Sequence, residues 1–473
     1  MITLLFLDFT GSLHQYFGWL AKIQFVPAVL ALNVAVILAM IVVTLVFGRV
    51  YCSVVCPLGI FQDIVSWFAG KRNKNRFRYR KAHKWLRYGL LVIFVLLMVL
   101  GLNAIACLIA PYSAFGRMAS ELFSPIYRWG NNALAYFSER ADSYAFYTVD
   151  VYVKSLPTFI VAAVTFVAVF VLAWRGGRTY CNTVCPVGTF LGFISRYSFL
   201  KPVINTEKCN GCGKCARNCK CSCIDPENHA IDYSRCVACM DCISNCKQGA
   251  IKYTRKPSGK EAVVDKDRRN FLSVSAMLAA TAVLEAQEKT TDGGLALIEE
   301  KQKAQRKIPV KPAGALSLKN FENHCTACQL CVSVCPNGVL SPSTSLENLM
   351  QPVVGYEKGY CRPECTRCSE VCPTGAITRV TKAEKSSIKT GTAVWIAKNC
   401  LPMTEGVSCG NCARHCPAGA IQMVPQFADD PNSPQFPVIN EERCIGCGAC
   451  ENLCPARPFS AIYVEGVETQ RTI

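Results

Sequence analysis

The sequence has few of the residues and none of the motifs on which group-transfer enzymes depend. Histidine occurs only five times in 473 residues, and neither a Walker A phosphate loop nor a G-x-G-x-x-G dinucleotide fingerprint is present. His324 and His415 lie beside cysteines and are interpreted as surface groups or as neighbours of metal ligands. Hydride, acyl and phosphoryl transfer are therefore not indicated.

Acidic residues are outnumbered as well, with 33 Asp and Glu against 51 Lys and Arg, which gives a net charge of +18. The excess lies in residues 1–286, which hold 32 basic and 15 acidic residues, whereas residues 287–473 hold 19 and 18. The basic part also contains the long apolar runs, and positive charge beside such runs marks the cytoplasmic side of a membrane. We therefore expect no nucleic-acid partner.

Cysteine, in contrast, is abundant, with 31 residues at short, repeated spacings in a chain that is 51% apolar. A secreted disulfide framework would be small and loop-rich, and this chain is neither. Its thiols must stay reduced while metal sites are built, so we expect assembly in the cytoplasm. The length leaves room for two to four domains.

Residues 209–246 contain the run C-x2-C-x2-C-x3-C twice. In this run three thiolates bind one [4Fe–4S] cluster and the fourth binds the neighbouring cluster. The two predicted sites are Cys209, Cys212, Cys215 with Cys246, and Cys236, Cys239, Cys242 with Cys219. Zinc also takes four cysteines, but it usually draws two from each of two knuckles. The run therefore predicts a two-cluster ferredoxin.

Three cysteines fall outside these patterns. Cys221 and Cys223 follow Cys219 where a proline usually follows the fourth ligand, so they are alternatives to Cys219. Cys107 lies in an apolar run and is interpreted as a packed small side chain.

Three apolar runs, residues 25–48, 88–110 and 158–174, are predicted to span a membrane. Nine Lys and Arg between residues 71 and 87 indicate the cytoplasmic side, and the segment 111–156 is predicted to be an outer loop. Residues 1–7 resemble the end of another span, which favours a start codon upstream. Asp8 and Asp63 fall near the membrane ends, where an interfacial role is expected.

Residues 48–59 and 177–188 share the pattern G-R-x-Y-C-x-x-V-C-P-x-G at the inner ends of two predicted spans. Such duplication is typical of membrane redox proteins and transporters. The C-x3-C spacing sets Cys52 and Cys56, and likewise Cys181 and Cys185, about one helical turn apart. The four thiols suit a further cluster, a redox-active disulfide pair or a copper ion. Alternatively, they are small residues at an interfacial turn.

A polar linker then leads to Asp267-Arg268-Arg269-Asn270-Phe271-Leu272 and an uncharged run at residues 273–284. This pattern resembles a twin-arginine export signal, and a domain that carries finished clusters must cross a membrane folded. Such signals are usually N-terminal. The alternative is a linker helix in a chain whose cluster domains all stay in the cytoplasm.

The remainder of the chain holds sixteen cysteines in four groups, and each group ends in Cys-Pro. The groups are Cys325, Cys328, Cys331 and Cys335; Cys361, Cys365, Cys368 and Cys372; Cys400, Cys409, Cys412 and Cys416; and Cys444, Cys447, Cys450 and Cys454. Sixteen thiolates are enough for four [4Fe–4S] clusters. Together with the first module, the sequence predicts six.

The motifs support a family resemblance over nearly the whole chain. Residues 1–250, with two C-x3-C-P motifs and a two-cluster run, resemble the NapH membrane subunit of the periplasmic nitrate-reductase quinol dehydrogenase. NosR and CcoG share this arrangement, but the chain lacks NosR's sizeable outer flavin domain and has a ferredoxin where CcoG has a small β-domain. From Arg268 onward the chain resembles the exported four-cluster ferredoxin NapG.

The resemblance also implies which thiols share a cluster in the last domain. In such ferredoxins the outer groups pair with each other, and so do the inner groups. The implied sets are Cys325, Cys328, Cys331 with Cys454; Cys444, Cys447, Cys450 with Cys335; Cys361, Cys365, Cys368 with Cys416; and Cys400, Cys409, Cys412 with Cys372.

These inferences predict a multi-domain fold, with an α-helical transmembrane domain and two α+β bacterial-ferredoxin-like domains. The predicted boundaries are 1–200 for the transmembrane domain, 201–255 for the first ferredoxin, 256–316 for the linker and 317–473 for the second ferredoxin. The protein is expected in the inner membrane as a multi-pass protein, with the first ferredoxin cytoplasmic and the second periplasmic.

The resemblance implies that electrons pass from the quinol pool through the clusters to a reductase outside the inner membrane. Membrane lipid, the quinone pool and redox proteins, such as a cytochrome or a terminal reductase, are the expected partners. No carboxylate stands out as a base for quinol. The alternatives are a copper reductase or assembly factor for a metalloenzyme, and a polyferredoxin that faces the cytoplasm.

Overall fold

The structure of the chain is a computed structural model. It describes residues 2–8, 12–72, 77–143, 145–149, 151–255, 291–292, 296–297, 301–427 and 430–473. The predicted twin-arginine motif at residues 267–272 and the apolar run at 273–284 lie outside the described residues.

The first 200 residues are helical wherever they are described as regular structure. The helices are Ile2–Leu7, Ser12–Phe17, Trp19–Lys22, Phe25–Leu30, Val34–Phe47, Val50–Val54, Pro57–Arg72, Lys84–Val99, Asn103–Ala106, Pro111–Met118, the π-helical turn Ala119–Phe123, Ser124–Arg140, Leu156–Gly176, Thr179–Thr183 and Pro186–Ser195. Proline stands in the first turn of five of the longer helices, where its missing N–H costs no helical hydrogen bond.

One helix in the described part of the chain, Leu156–Gly176, is long and apolar enough to cross a membrane. The other two predicted spans are interrupted. The run at residues 25–48 breaks after Leu30 and restarts at Val34, where the Asn33 side chain caps the new helix. The run at residues 88–110 breaks after Val99.

The expected outer loop at residues 111–156 is largely helical, and its first part is buried. Residues 111–118 form a helix in which every residue is buried, and Ser124–Arg140 continues from it. The loop prediction was wrong here because the segment buries its helical face against neighbouring elements that the sequence does not reveal. The helix Pro111–Met118 packs on Leu156–Gly176 and on Pro57–Arg72.

Short antiparallel hairpins carry the two cysteine-rich parts. In the first part, Lys201–Ile204 pairs with Ile251–Thr254, and Ile224–Asp225 pairs with Ala230–Ile231. In the last part, the pairs are Leu340–Pro342 with Pro352–Val354, Ile388–Trp395 with Ile462–Thr472, and Ile421–Phe427 with Asp430–Ile439. Thr291–Asp292 and Ala296–Leu297 form a separate two-residue pair.

One-turn helices complete these parts. They are Lys214–Arg217, Asp241–Ser244, Leu330–Ser333, Arg367–Val371, Leu401–Thr404, Asn411–Arg414 and Ala449–Asn452, together with the longer Leu318–His324 and Lys382–Ser387 and the 3₁₀ turn Ala397–Asn399. The described residues therefore form two α+β parts of the bacterial-ferredoxin type beside a helical part.

The two cysteine-rich parts contact opposite ends of the helix Leu156–Gly176. Immediately after its C-terminal end, the Arg178 N–H donates to the Lys220 carbonyl of the first part. Just before its N-terminal end, the Lys154 ammonium donates to the Val332 carbonyl of the last part over 2.8 Å. A helix of 21 residues is about 31 Å long, which is close to the thickness of a bilayer's hydrocarbon core.

The first cysteine-rich part is also held by the basic segment that precedes Lys84–Val99. The Arg80 N–H donates to the Ser222 carbonyl, and the Arg235 guanidinium donates to the Arg80 carbonyl. Arg87 is fully buried and donates to Ser234. The basic segment therefore packs on this ferredoxin part.

Candidate metal centres

Four cysteine groups fold as the same turn. In each, the residues before and after the second cysteine both have positive φ, although L-residues rarely adopt that conformation. The pairs are Gly211 and Gly213, Ala238 and Met240, Ala327 and Gln329, and Gly446 and Gly448. The third cysteine then lies in a one-turn helix. This backbone conformation wraps the chain so that the three thiols of a group face the same space, where they can bind one cluster.

The first group brings Cys209, Cys212 and Cys215 close enough for their thiols to interact electrostatically. The helix Lys214–Arg217 packs on Asp241–Ser244, and Cys246 follows that helix by two residues. The assignment of Cys246 as the fourth ligand of this cluster stays a prediction.

The second group lines a cavity with six thiols. Its lining includes Cys219, Cys221, Cys223, Cys236, Cys239 and Cys242. The sulfur atoms of Cys219 and Cys223 lie 3.6 Å apart, and Cys221 is buried. The structure therefore keeps all three candidates for the fourth ligand beside the predicted triplet.

In the last part, the structure brings together sets of thiols that differ from those that the family resemblance implied. Cys372, and not Cys454, interacts with Cys325, Cys328 and Cys331. Cys335 interacts with Cys361 and Cys368, close to Cys365. The implied pairing of outer with outer groups was wrong, because the first two groups fold against each other through Leu330–Ser333 and Arg367–Val371.

The third and fourth groups exchange ligands in the same way. One cavity is lined by Cys400, Cys409, Cys412 and Cys454. A second cavity is lined by Cys416, Cys444, Cys447 and Cys450. The helices Asn411–Arg414 and Ala449–Asn452 pack together, which sets each fourth cysteine beside the other group's triplet.

The thiol sets of the last part form a linear series. Cys331 interacts with Cys368, which joins the first set to the second. The Cys361 N–H donates to the Cys447 carbonyl, which joins the second set to the one around Cys444. Cys450 interacts with Cys412, which lies in the remaining set. Neighbouring sites are therefore in contact along the whole domain.

The duplicated motif brings its four cysteines together, and this set is called the thiol quartet below: Cys52, Cys56, Cys181 and Cys185. Each is 3–4% exposed. Cys185 interacts with the other three thiols. The Gly188 N–H donates to the Cys185 sulfur over 3.3 Å, and Gly59 makes the corresponding contact with Cys56. Burial raises the pKa of Cys56 and Cys185, so their thiols stay protonated unless a metal binds.

Two buried arginines cross between the copies of the motif. Arg178 donates to the Cys52 carbonyl of the first copy, and Arg49 donates to the Cys181 carbonyl of the second over 3.4 Å. Arg49 also reaches the Cys52 sulfur at 3.8 Å, and the Gln62 amide reaches the Cys181 sulfur at 3.2 Å. The four thiols are thus held by hydrogen-bond donors and by two positive charges.

The quartet lies between the two ferredoxin parts. On one side, Arg49 interacts with Cys52, Cys181 and Cys221, and it donates to the Ser234 carbonyl. On the other side, the buried side chain of Tyr112 interacts with Cys328, Cys372 and Tyr51, and Tyr51 interacts with Cys56. A continuous buried core contains the residues on both sides of the quartet, among them Tyr51, Cys52, Cys56, Tyr112, Cys221 and Cys328.

The donor sets fit iron–sulfur clusters. Four thiolates from two loops are the ligand set of a [4Fe–4S] cluster, and each thiolate binds its own iron atom. Among the described residues, no group of three or more side chains is arranged for a single metal ion. Thiolates spread around a cavity suit a cubane better than a single tetrahedral ion, whose ligands converge on one point.

The sequence analysis did not identify four residues of the quartet's surroundings: Arg49, Arg178, Gln62 and Tyr112. The duplicated G-R-x-Y-C pattern did contain the signal for the two arginines, because an arginine repeated in register beside a cysteine pair suggests a shared role. Gln62 and Tyr112 carry no such signal, since their contacts form only in the folded chain.

Comparison with protein families identifies iron–sulfur domains in three parts of the chain. A family described as "4Fe-4S binding domain" matches residues 29–75 and 158–205. Families described as "4Fe-4S dicluster domain" match residues 324–376 and 407–457, and residues 232–339. The first match covers both copies of the motif that supplies the quartet.

Three similar proteins illustrate the relationship. MauN, the methylamine utilization ferredoxin-type protein of Paracoccus denitrificans, is 28% identical over 40% of this chain and 51% of its own length. MauM of the same organism is 32% identical over 31% of this chain and 66% of its own length. The ferredoxin-type protein NapG of Escherichia coli K12 is 29% identical over 34% of this chain and 73% of its own length.

The chain thus spans about half the length of the first of these relatives and about two thirds to three quarters of the other two. No solved structure matches it.

Proposed function

We propose that the chain carries electrons from quinol through a membrane. The premise is that the chain is a ferredoxin-type 4Fe-4S protein similar to NapG, MauM and MauN. The electrons leave through the last ferredoxin part to a reductase outside the inner membrane. The contact of the two ferredoxin parts with opposite ends of the 21-residue apolar helix Leu156–Gly176 carries this proposal.

Exposed apolar side chains on other helices support a membrane setting. The exposed residues include Val34, Leu38 and Val42 on one helix and Val92 and Val99 on another, and these five are 55–81% exposed. Large exposed apolar surfaces on a folded protein mark an interaction surface, and a bilayer is one such partner. Together with Leu156–Gly176, these helices are proposed to form the multi-pass domain.

The thiol quartet is proposed to bind a seventh [4Fe–4S] cluster between the two ferredoxin parts. Its four thiolates would add more negative charge than the cluster core neutralises, and the guanidinium groups of Arg49 and Arg178 offset that charge. When bound, such clusters supply one-electron oxidation and reduction. The polypeptide holds neighbouring sites in contact, excludes water from the quartet and supplies hydrogen-bond donors to its sulfurs.

The experiment is to add menaquinol to the purified, membrane-reconstituted protein and follow the clusters by electron paramagnetic resonance. Reduction of the clusters that depends on quinol is the expected result. A protein that neither oxidises menaquinol nor shows a cluster signal sensitive to quinone would contradict the quinol part of the proposal.

A second candidate function is that of a copper-reducing assembly factor. The four buried cysteines favour it, because soft thiolate ligands also select Cu(I). The Cys181→Ala variant distinguishes the two functions. An electron carrier loses electron transfer between its two ferredoxin parts while its ferredoxin clusters remain intact. An assembly factor instead leaves a partner metalloenzyme short of metal.

A further inference from the structure

A buried polar segment lies between the quartet and the last ferredoxin part. It consists of the helix Pro111–Met118 and the π-helical turn Ala119–Phe123. Within the described part of the chain, five of its buried polar atoms have no hydrogen-bond partner: the Tyr112 hydroxyl, Nε and Nη1 of Arg117, the Ser120 hydroxyl and Oε1 of Glu121. Unpaired buried polar atoms are costly, and π-helical turns are frequent at functional sites. The segment is therefore suited to a polar ligand.

Glu121 is the acidic member of this segment, and it is 4% exposed. Burial raises its pKa to about 7, and the nearby Lys154 ammonium only partly opposes that rise. The pKa of Lys154 is lowered to about 8, first by burial and then by Arg128. Glu121 can therefore both take up and release a proton near neutral pH.

The turn that carries Glu121 packs directly on the first cluster site of the last domain. It contacts the helix Leu330–Ser333, which carries Cys331. Lys154 donates to the Val332 carbonyl over 2.8 Å and interacts with Cys335 and Cys331. A proton acceptor and a site for an electron acceptor are thus adjacent.

An aromatic group flanks the turn on its apolar side. The Phe123 ring lies 6.3 Å from that of Phe61, 6.0 Å from that of Phe166 and 6.5 Å from that of Phe115, measured between centroids. The turn that carries Glu121 therefore ends in an aromatic cluster, and a flat, largely apolar ring such as that of quinol stacks favourably on aromatic side chains.

A polar cavity begins on the far side of Lys154. Its lining includes Arg128, Tyr152, Lys154, Cys335 and Arg367. Among the described residues that line it there is no carboxylate, and its lining residue Lys154 interacts electrostatically with Glu121.

We propose that Glu121 is the residue that accepts protons from quinol at this site, an inference that rests on the proposed quinol function. Oxidation of one quinol to quinone releases two electrons and two protons. The electrons pass singly to oxidised [4Fe–4S] clusters, the nearest being the one assigned to Cys325, Cys328, Cys331 and Cys372. Each proton converts the Glu121 carboxylate to the acid, which then loses it to water in the cavity beside Lys154.

The test compares Glu121→Gln with Glu139→Gln in the full-length, cluster-loaded protein in lipid. Glu139 is an exposed carboxylate on the following helix, so its variant controls for the substitution itself. Menaquinol oxidation by Glu121→Gln is expected to fall about 10²–10⁴-fold, the usual contribution of a general base. Cluster reduction by dithionite, which delivers no protons through this site, is expected to be unchanged in both variants.

A second readout does not depend on activity. Infrared difference spectra of the resting protein, recorded against pH, are expected to show a carboxylic-acid band that titrates near neutrality and is absent in Glu121→Gln. The charged groups facing this carboxylate are Lys154 and, behind it, Arg128. Glu121→Asp retains a carboxylate and is expected to recover part of the rate with a shifted pH profile.

The outcomes separate this inference from the proposed function. If the unchanged protein oxidises menaquinol and Glu121→Gln does so equally well, the role of Glu121 is refuted while the function stands. If the unchanged protein does not oxidise menaquinol, the function itself fails. If Glu121→Gln loses its clusters and Glu121→Asp does too, Glu121 has a structural role and the inference is refuted. If Glu121→Asp keeps the clusters and shifts the pH profile of menaquinol oxidation, the inference is supported.

Discussion

Single side chains determine how the thiol quartet is held. Arg178 makes two contacts that tie the copies of the motif to their surroundings, one with the Cys52 carbonyl of the opposite copy and one with the Asp63 carboxylate. Arg49 makes the matching contact with Cys181. Each copy of the motif therefore depends on the other, and this explains why the duplicated pattern includes arginine as well as cysteine.

Replacing a quartet cysteine should remove one cluster from the protein. We expect Cys181→Ala to lower iron and acid-labile sulfide by one cluster per chain and to stop electron transfer between the two ferredoxin parts. Chemical analysis and electron paramagnetic resonance measure both effects. Cys107→Ala is the matched control, because Cys107 is completely buried but belongs to no thiol set. Equal iron loss in both variants would contradict the quartet as a ligand set.

Two glycines at positive φ should differ sharply in their tolerance of alanine. A Cβ at Gly448 would overlap the ring of Tyr356, which is 1% exposed and tied by its hydroxyl to the Gly446 carbonyl. A Cβ at Gly211 meets no atom within 4 Å, so only the strain of positive φ remains, at about 1–2 kcal/mol. We expect Gly448→Ala to lose the cluster assigned to Cys444, Cys447 and Cys450. Gly211→Ala is expected to keep all its iron, and a comparable loss there would show that strain alone is decisive.

Among the elements, the helix Pro57–Arg72 links the quartet to the first ferredoxin part. Its Asp63 carboxylate pairs with Arg178 at 2.6 Å and with Lys220 at 3.3 Å. Lys220 in turn pairs with Asp241 at the start of the helix that carries Cys242. The ion pairs therefore fix the helix, the second copy of the motif and a cluster loop relative to one another.

These ion pairs should make stability depend on pH. Burial raises the pKa of Asp63, but Arg178 and Lys220 outweigh it and hold the pKa below its ordinary value of 3.8. Because the folded-state pKa is the lower one, the stabilisation is complete above the unfolded value and is lost as the pH falls through the folded value. We expect Asp63→Asn to lower the free energy of unfolding by about 1–3 kcal/mol at neutral pH.

Thermal unfolding at several pH values checks this prediction. The difference between Asp63→Asn and the unchanged protein should shrink below pH 3.8. Glu347→Gln, at an exposed position, should leave the stability unchanged at every pH. A constant difference between Asp63→Asn and the unchanged protein into acid would show that packing, and not charge, carries the effect.

At the scale of the whole molecule, the thiol sets form a series of neighbouring sites. The first ferredoxin part, the thiol quartet and the last ferredoxin part are joined through Cys221 and Arg49 on one side and through Tyr112 on the other. Four thiol sets then follow in contact order within the last part. Such an arrangement suits an electron path between two compartments.

The side of the membrane that holds the last part decides between such a path and a protein confined to the cytoplasm. We expect a reporter that functions only outside the cytoplasm, attached after Ile473, to be active. Changing both Arg268 and Arg269 to Lys should silence it, because a twin-arginine signal requires the arginine pair. Immunoblotting controls for the amount of protein. A reporter silent in both forms would place every cluster on the cytoplasmic face.

The sequence by itself determined the chemistry of the ligands and the kind of domain. Three cysteines spaced C-x2-C-x2-C bind one [4Fe–4S] cluster from a single turn of the chain. The spacing alone is therefore enough to predict a ferredoxin-type 4Fe-4S protein. The two copies of the duplicated motif were recognisable for the same reason, since each pattern is local.

Only the tertiary structure decided which distant residues meet. The fourth cysteine of each cluster comes from another loop, and the packing of neighbouring helices sets Cys372 beside Cys325, and Cys454 beside Cys412. Likewise, the position of Glu121 beside Lys154 depends on how a buried segment packs on the last domain. Such contacts join residues far apart in the chain, and no local spacing records them.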